Sequence, residues 1–158
     1  MHIPQRQVDF DRHLVETLAK NGPRYTSYPT ADRFHAGFNQ QHYQQALQQR
    51  NVGALNRPLS LYIHVPFCNT ICYYCGCNKI ITKDTSRADE YIDYLGRELD
   101  LIAPHLQGQH QLSQLHFGGG TPTFLNDEQL ARVFAHIKRH FEFSPRGEYS
   151  IEIDPRKV

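Results

Sequence analysis

The sequence predicts an α/β fold: the first βα units of a barrel-like parallel sheet, preceded by an N-terminal arm and helix. Three observations predict it. From residue 59 onward strand and helix patterns alternate, the links between them are short, and the chemically unusual residues all follow strand ends. Parallel neighbours need a crossover, which a helix supplies, and right-handed crossovers dominate. Residues 1–58 read as an arm and helical segment, and residues 59–158 as the start of the barrel.

Within the first part, "NGPRYTSYPTADRF" is punctuated by Gly22, Pro23 and Pro29 and reads as extended. "FNQQHYQQALQQRN" follows, with Tyr43, Ala46 and Leu47 giving a narrow apolar stripe for a surface helix. "LSLYIHVPF" is a strand: Leu61, Ile63 and Val65 face one way, Tyr62 and His64 the other, and Pro66 stops it. "ADEYIDYLGRELDLIAPHL" has the helical period, with Tyr91, Leu95, Leu99 and Ile102 on one face until Pro104. "SQLHFGGG" is a short strand closed by glycines. In "NDEQLARVFAHIKRHF", Leu130, Val133, Phe134, Ile137 and Phe141 form a stripe, and Asn126 with Gln129 predicts a capping box. "EYSIEIDP" reads as a third strand, with Ile151 and Ile153 on one face and Glu152 on the other. In barrels of this kind functional groups collect at the C-terminal strand ends, here "PFCNTICYYCGC", "FGGGTPT" and "DPRK".

Composition removes several function classes. The 158 residues carry 17 basic and 16 acidic side chains, so no global field draws nucleic acid or an anionic membrane. No apolar run approaches the roughly 18 residues of a membrane span, and the opening "MHIPQRQVDFDRHL" is too charged for a signal peptide. A cytoplasmic protein is expected. There, thiols stay reduced, and a tight cysteine cluster points to metal binding or redox work.

All four cysteines lie within "CNTICYYCGC". Thiolate sulfur is a soft ligand, suited to zinc or to iron-sulfur clusters. A structural zinc site usually joins two cysteine hooks a dozen or more residues apart, and the second hook is missing. One short loop wraps a cubane more easily through Cys68, Cys72 and Cys75, which leaves one iron open and Cys77 outside the set. Zinc, or buried thiols without metal, stand as the competing readings.

"CNTICYYC" resembles the Cys-x3-Cys-x2-Cys signature of radical S-adenosylmethionine (SAM) enzymes, with the aromatic Tyr74 before its last cysteine. Within that superfamily "GPRYTSYPTA", "YIHVPFC", "CYYCGCNKI", "LHFGGGTPTFL" and "IEIDPR" together resemble the oxygen-independent coproporphyrinogen III oxidase family, in order and over nearly the whole chain. The resemblance implies a partial (β/α)6 TIM-like radical SAM barrel. It implies a [4Fe-4S] cluster on Cys68, Cys72 and Cys75, whose open iron takes SAM. Reductive cleavage then gives a 5′-deoxyadenosyl radical, which removes hydrogen from a propionate of the porphyrinogen substrate. Loss of carbon dioxide leaves a vinyl group, and two such steps give protoporphyrinogen IX in haem biosynthesis. Family positions touching the cluster-bound SAM match Tyr62, Gly119 and Glu152; those near a second SAM match Tyr74, Gly120 and Thr121. The resemblance also implies a flavodoxin- or ferredoxin-type electron donor, a monomer, and no nucleic-acid or membrane partner.

Glycines at a strand end permit close backbone approach, and a carboxylate near a cationic ligand is favoured, which agrees with these roles. Alone, "GGGTP" is an ordinary βα turn. His64 and His116 share the Tyr62 face by parity and suit either proton handling or interior hydrogen bonding. Arg24, in the arm, suits a propionate carboxylate or plain solvent. The competing function is a haem-binding chaperone related to these enzymes; the "GPRYTSYPTA" arm and Cys77 favour the oxidase. A (β/α)8 barrel takes about 250 residues, roughly 30 per unit. The stretch from Leu59 holds only three strands and two helices. The chain is therefore expected to be a fragment, lacking later strands and a C-terminal domain, and inactive as a decarboxylase by itself.

Overall fold

A computed structural model describes residues 10–19, 31–50, 58–106 and 110–155. The chain forms two compact units, Met1–Asn39 and Gln40–Val158. In the first, α1 (Arg12–Leu18) begins at Asp11, whose carboxylate accepts from Leu14 N. This helix is not among the elements the sequence predicts. Of the arm, the stretch holding Arg24 lies outside the described residues.

The second unit begins with α2 (Gln40–Gln49), the predicted polar helix, whose Leu47 packs against the core. Its centre is a parallel sheet in the order β1-β4-β5, formed by β1 (Leu59–Val65), β4 (Gln111–Gly119) and β5 (Glu142–Ile151). Each crossover is a helix: α3 (Arg87–Ile102) joins β1 to β4, and α4 (Asp127–His140) joins β4 to β5. Alternation in β1 holds as predicted. Ile63 and Val65 are buried, while Tyr62 is exposed and His64 half-buried on the opposite face. On β4, Leu112, Leu115 and Phe117 join them beneath the helices.

The helical stripes bury as their periods require, with one addition. Ile92 is fully enclosed at the α3–sheet contact, with Leu95 and Leu99, while Tyr91 and Ile102 sit at its margin. On α4, Val133 and Ile137 are fully buried, and the predicted capping box is present: Asn126 Oδ1 accepts from Gln129 N at 2.8 Å and Gln129 Oε1 accepts from Asn126 N at 3.2 Å.

β5 departs from the predicted bounds. β5 starts at Glu142, six residues before "EYSIEIDP", and its ladder to β4 slips between Leu112 and Gln114, skipping the "SPRG" stretch before Glu148. Pro145 and Gly147 break the alternation that would reveal it. The strand also ends at Ile151, so Glu152 lies just beyond it; its N–H nevertheless bonds Phe117 O at 2.9 Å and continues the ladder by one step. A second, two-stranded parallel sheet pairs β2 (Phe67–Cys68) with β3 (Ile80–Ile81). No helix among the described residues is long and apolar enough to cross a membrane.

Candidate functional site

The cysteine loop is pinned at both ends by that small sheet. Ile80 N donates to Pro66 O at 2.7 Å and Thr82 N to Cys68 O at 2.9 Å, so the loop leaves and rejoins the body within a few ångströms. The glycine motif closes against the same segment: Gly120 N donates to Val65 O at 2.8 Å and Thr121 N to Phe67 O at 2.9 Å. Only a residue without a side chain fits here. A Cβ on Gly120 would lie 2.7 Å from Phe67 O and 2.8 Å from Cys68 Sγ, and Gly119 holds φ at +117°, where other residues are strained.

Among the thiols, all free, Cys68 is buried, Cys72 and Cys75 are half-exposed, and Cys77 is exposed. Cys75 N donates to Cys72 O at 3.1 Å, a tight turn inside the loop. The Cys77 backbone N–H, and next the Lys79 ammonium, hold the Cys75 thiol below its ordinary range. That favours thiolate, the form that binds metal. Desolvation, then the neighbouring Cys75, pushes the Cys77 thiol the other way. By type, number and spacing the thiols suit a soft-metal group, and Gly120 leaves Cys68 Sγ a bare backbone cradle. Among the described residues no three His, Cys, Asp or Glu side chains converge as a formed metal site. Cys68, Cys72 and Cys75 share a loop without being gathered to a point.

Beside the loop, the polar face of the sheet presents two rungs toward the C-terminal strand ends. Tyr62, His116 and Ser150 lie opposite one another across β1, β4 and β5. One step on, His64 faces Gly118, beyond which comes Glu152. His64 Nε2 meets Asn78 O at 2.8 Å, tying the face to the cysteine loop, and its Nδ1 meets Tyr62 Oη at 3.2 Å. The Tyr62 hydroxyl is held above its ordinary range by desolvation first, then by the Glu152 carboxylate and Cys77. Tyr62 and Glu152, named from sequence, are thus electrostatic neighbours. Tyr74 stands 91% exposed on the loop.

Sequence reading overlooked Gly118 and Ser150. A Cβ at Gly118 would stand 2.9 Å from Tyr62 Oη and 3.1 Å from His116 Nε2, so this glycine makes the room both rings occupy. Ser150 Oγ lies 2.7 Å from His116 Nδ1. Which residues touch His116 depends on cross-strand register, which a single sequence does not carry.

No family model matches the chain. It is 46% identical over 153 residues to an oxygen-independent coproporphyrinogen III oxidase of Escherichia coli, covering 97% of this chain and 32% of that one. An oxygen-independent coproporphyrinogen III oxidase of Mannheimia haemolytica is 41% identical over 149 residues, covering 94% of this chain and 99% of the relative. The solved structure of the Escherichia coli coproporphyrinogen III oxidase, described as a radical SAM enzyme, superposes with a TM-score of 0.78 at 43% identity, over 97% of this chain and 32% of that one. The chain therefore spans about a third of the length of the Escherichia coli relative.

Proposed function

Because the chain belongs to the oxygen-independent coproporphyrinogen III oxidase family, we propose that it carries the cofactor-binding part of a radical SAM oxidoreductase acting on coproporphyrinogen III. The reaction is the oxidative decarboxylation of propionates to vinyls, in the cytoplasm, with a flavodoxin- or ferredoxin-type protein as electron donor and the enzyme acting as a monomer. In this reading residues 59–158 open a partial (β/α)6 barrel, residues 1–58 form the arm and helical segment before it, and the polar face of the sheet lines the barrel interior.

Cys68, Cys72 and Cys75 would hold a [4Fe-4S] cluster, with Cys77 outside the ligand set. When bound, that cluster supplies the electron that cleaves SAM, and with it the radical that takes hydrogen from a propionate. The chain's own residues bind and orient. Tyr62, Gly119 and Glu152 take the first SAM, Glu152 placing a carboxylate beside a cation. Gly119 and Gly120 expose backbone that side chains would cover. Tyr74, Gly120 and Thr121 serve a second SAM, with Tyr74 on a loop that must fold inward to do so.

The observation that carries this reading is the joining of the two motifs: Cys68 Sγ lies 3.6 Å from Thr121 Oγ1, with the backbone bonds of Gly120 and Thr121 beside it. The test sets SAM cleavage against haem binding in anaerobically reconstituted, reduced protein. Methionine and 5′-deoxyadenosine are expected, without stoichiometric haem uptake. Tight haem binding with SAM left intact would overturn the proposal in favour of a haem chaperone.

A further inference from the structure

His116, on the polar face, has partners on both neighbouring strands. Its ring stacks on Tyr62 of β1, with centroids 5.7 Å apart and planes inclined by 22°. Its Nδ1 lies 2.7 Å from Ser150 Oγ on β5, and its Nε2 lies 3.6 Å from Glu152 Oε1. The ring is aimed across Gly118, where any Cβ would stand 3.1 Å from Nε2. Tyr62 blocks one ring face and Ser150 fixes one edge, so the free edge points at the Glu152 carboxylate.

The tautomer follows from the partners. Ser150 can donate or accept, but Glu152, when ionised, only accepts. The arrangement that suits both has the serine hydroxyl donating to Nδ1 and the proton on Nε2, facing the carboxylate. A proton on Nδ1 would instead set the Nε2 lone pair against negative charge. At 3.6 Å the contact is longer than a hydrogen bond, and the attraction acts through space on a carboxylate that is 57% exposed. It steers Glu152 rather than locking it.

We propose that His116 is a positioning residue for Glu152: with its tautomer set by Ser150 and its plane set by Tyr62, it pre-orients the carboxylate that receives a cationic, nucleoside-bearing ligand. The ligand identity rests on the SAM reading above; the arrangement of His116 does not. A carboxylate on an exposed strand end has several rotamers, and holding one of them in advance lowers the ordering cost of binding.

Two measurements on the 158-residue chain test this. The first is a long-range proton–nitrogen NMR spectrum of the His116 ring in ligand-free protein at about pH 8.5, above the ordinary histidine range. The Nε2–H tautomer is expected in the wild type, turning to a mixture in Ser150→Ala; an Nδ1–H tautomer in the wild type overturns the proposal. The second is equilibrium dialysis of SAM against anaerobically reconstituted protein. His116→Phe keeps the stacking ring but has no N–H, and should weaken binding about three- to ten-fold. His116→Gln restores a donor at similar reach and should recover most of that loss, with thermal midpoints showing that both variants fold. Equal affinity of His116→Phe and wild type overturns the proposal. If wild-type protein takes up no SAM, the functional reading fails, and the tautomer alone then decides whether His116 is set against Glu152 as described.

Discussion

Cys68 Sγ and Thr121 Oγ1 stand 3.6 Å apart although 53 residues separate them, so the first thiol of the cysteine loop rests on the residue that follows the glycine run. The contact exists because β1 and β4 are parallel neighbours whose C-terminal ends come out side by side. Val65 and Phe67 then offer carbonyls to Gly120 and Thr121, and the loop and the glycine motif become one rim. Phe67 stacks on Phe124 with centroids 5.2 Å apart, anchoring that rim to the core below.

Gly120 is the most confined point of the rim. Gly120→Ala would place a methyl 2.7 Å from Phe67 O and 2.9 Å from Pro66 O, backbone atoms that cannot swing aside. We expect a loss of about 1–3 kcal/mol in urea unfolding, as for other overpacked sites. Iron uptake on reconstitution should fall with it, because the same methyl presses on Cys68 Sγ. Unchanged stability and iron content would show that the segment has room to move.

Gln129 joins the starts of two helices. Its side chain is buried, its Nε2 donates to Thr85 O at 3.0 Å and to Asp89 Oδ1 at 3.3 Å, and its Oε1 accepts from Asn126 N. Gln129→Ala should cost about 1–3 kcal/mol, since it removes half of a capping box and the bonds that tie it to Thr85 O and Asp89 Oδ1. Chemical denaturation measures it, and a change well under 0.5 kcal/mol, the ordinary surface value, would contradict the assignment.

Asp100 on α3 accepts from His140 Nε2 on α4 at 2.6 Å, and this bond, with Arg139 also nearby, holds its carboxyl below the ordinary 3.8. A depressed carboxyl pKa stabilises the fold above the unfolded value and stops doing so as pH falls through the folded one. Asp100→Asn should therefore lower the thermal midpoint at about pH 6, with the gap to wild type closing below about pH 4. A gap constant down to about pH 2 would mean that the charge plays no part.

The cysteines are separable by substitution. After reconstitution, Cys68→Ser, Cys72→Ser and Cys75→Ser should each lose most of the iron and sulfide that wild-type protein retains. Cys77→Ser should keep them. Iron loss in Cys77→Ser equal to that in Cys75→Ser would move Cys77 into the ligand set.

Much of this architecture is legible in the sequence because its periods are strong. Leu61, Ile63 and Val65 alternate cleanly with Tyr62 and His64, and α4 announces both its cap and its stripe. The β2–β3 pair is invisible for the opposite reason: two residues on each strand are too few to show a period, and their pairing is held by backbone bonds to Pro66 and Cys68. α1 is short, and its Leu14, Val15 and Leu18 are exposed, so only Asp11 marked its start. The irregular opening of β5 hides behind Pro145 and Gly147. At the site, parity gave the face of Tyr62, His64 and His116, whereas the grip of Ser150 on His116 and the room made by Gly118 depend on register across strands that lie far apart in sequence.

The most direct test is electron paramagnetic resonance of the anaerobically reconstituted, reduced chain before and after addition of SAM. The account predicts a [4Fe-4S] signal whose g-values shift when SAM is added, the response of an iron with a position free for ligand. A chain that assembles no such cluster, or one whose signal SAM leaves unchanged, would contradict it.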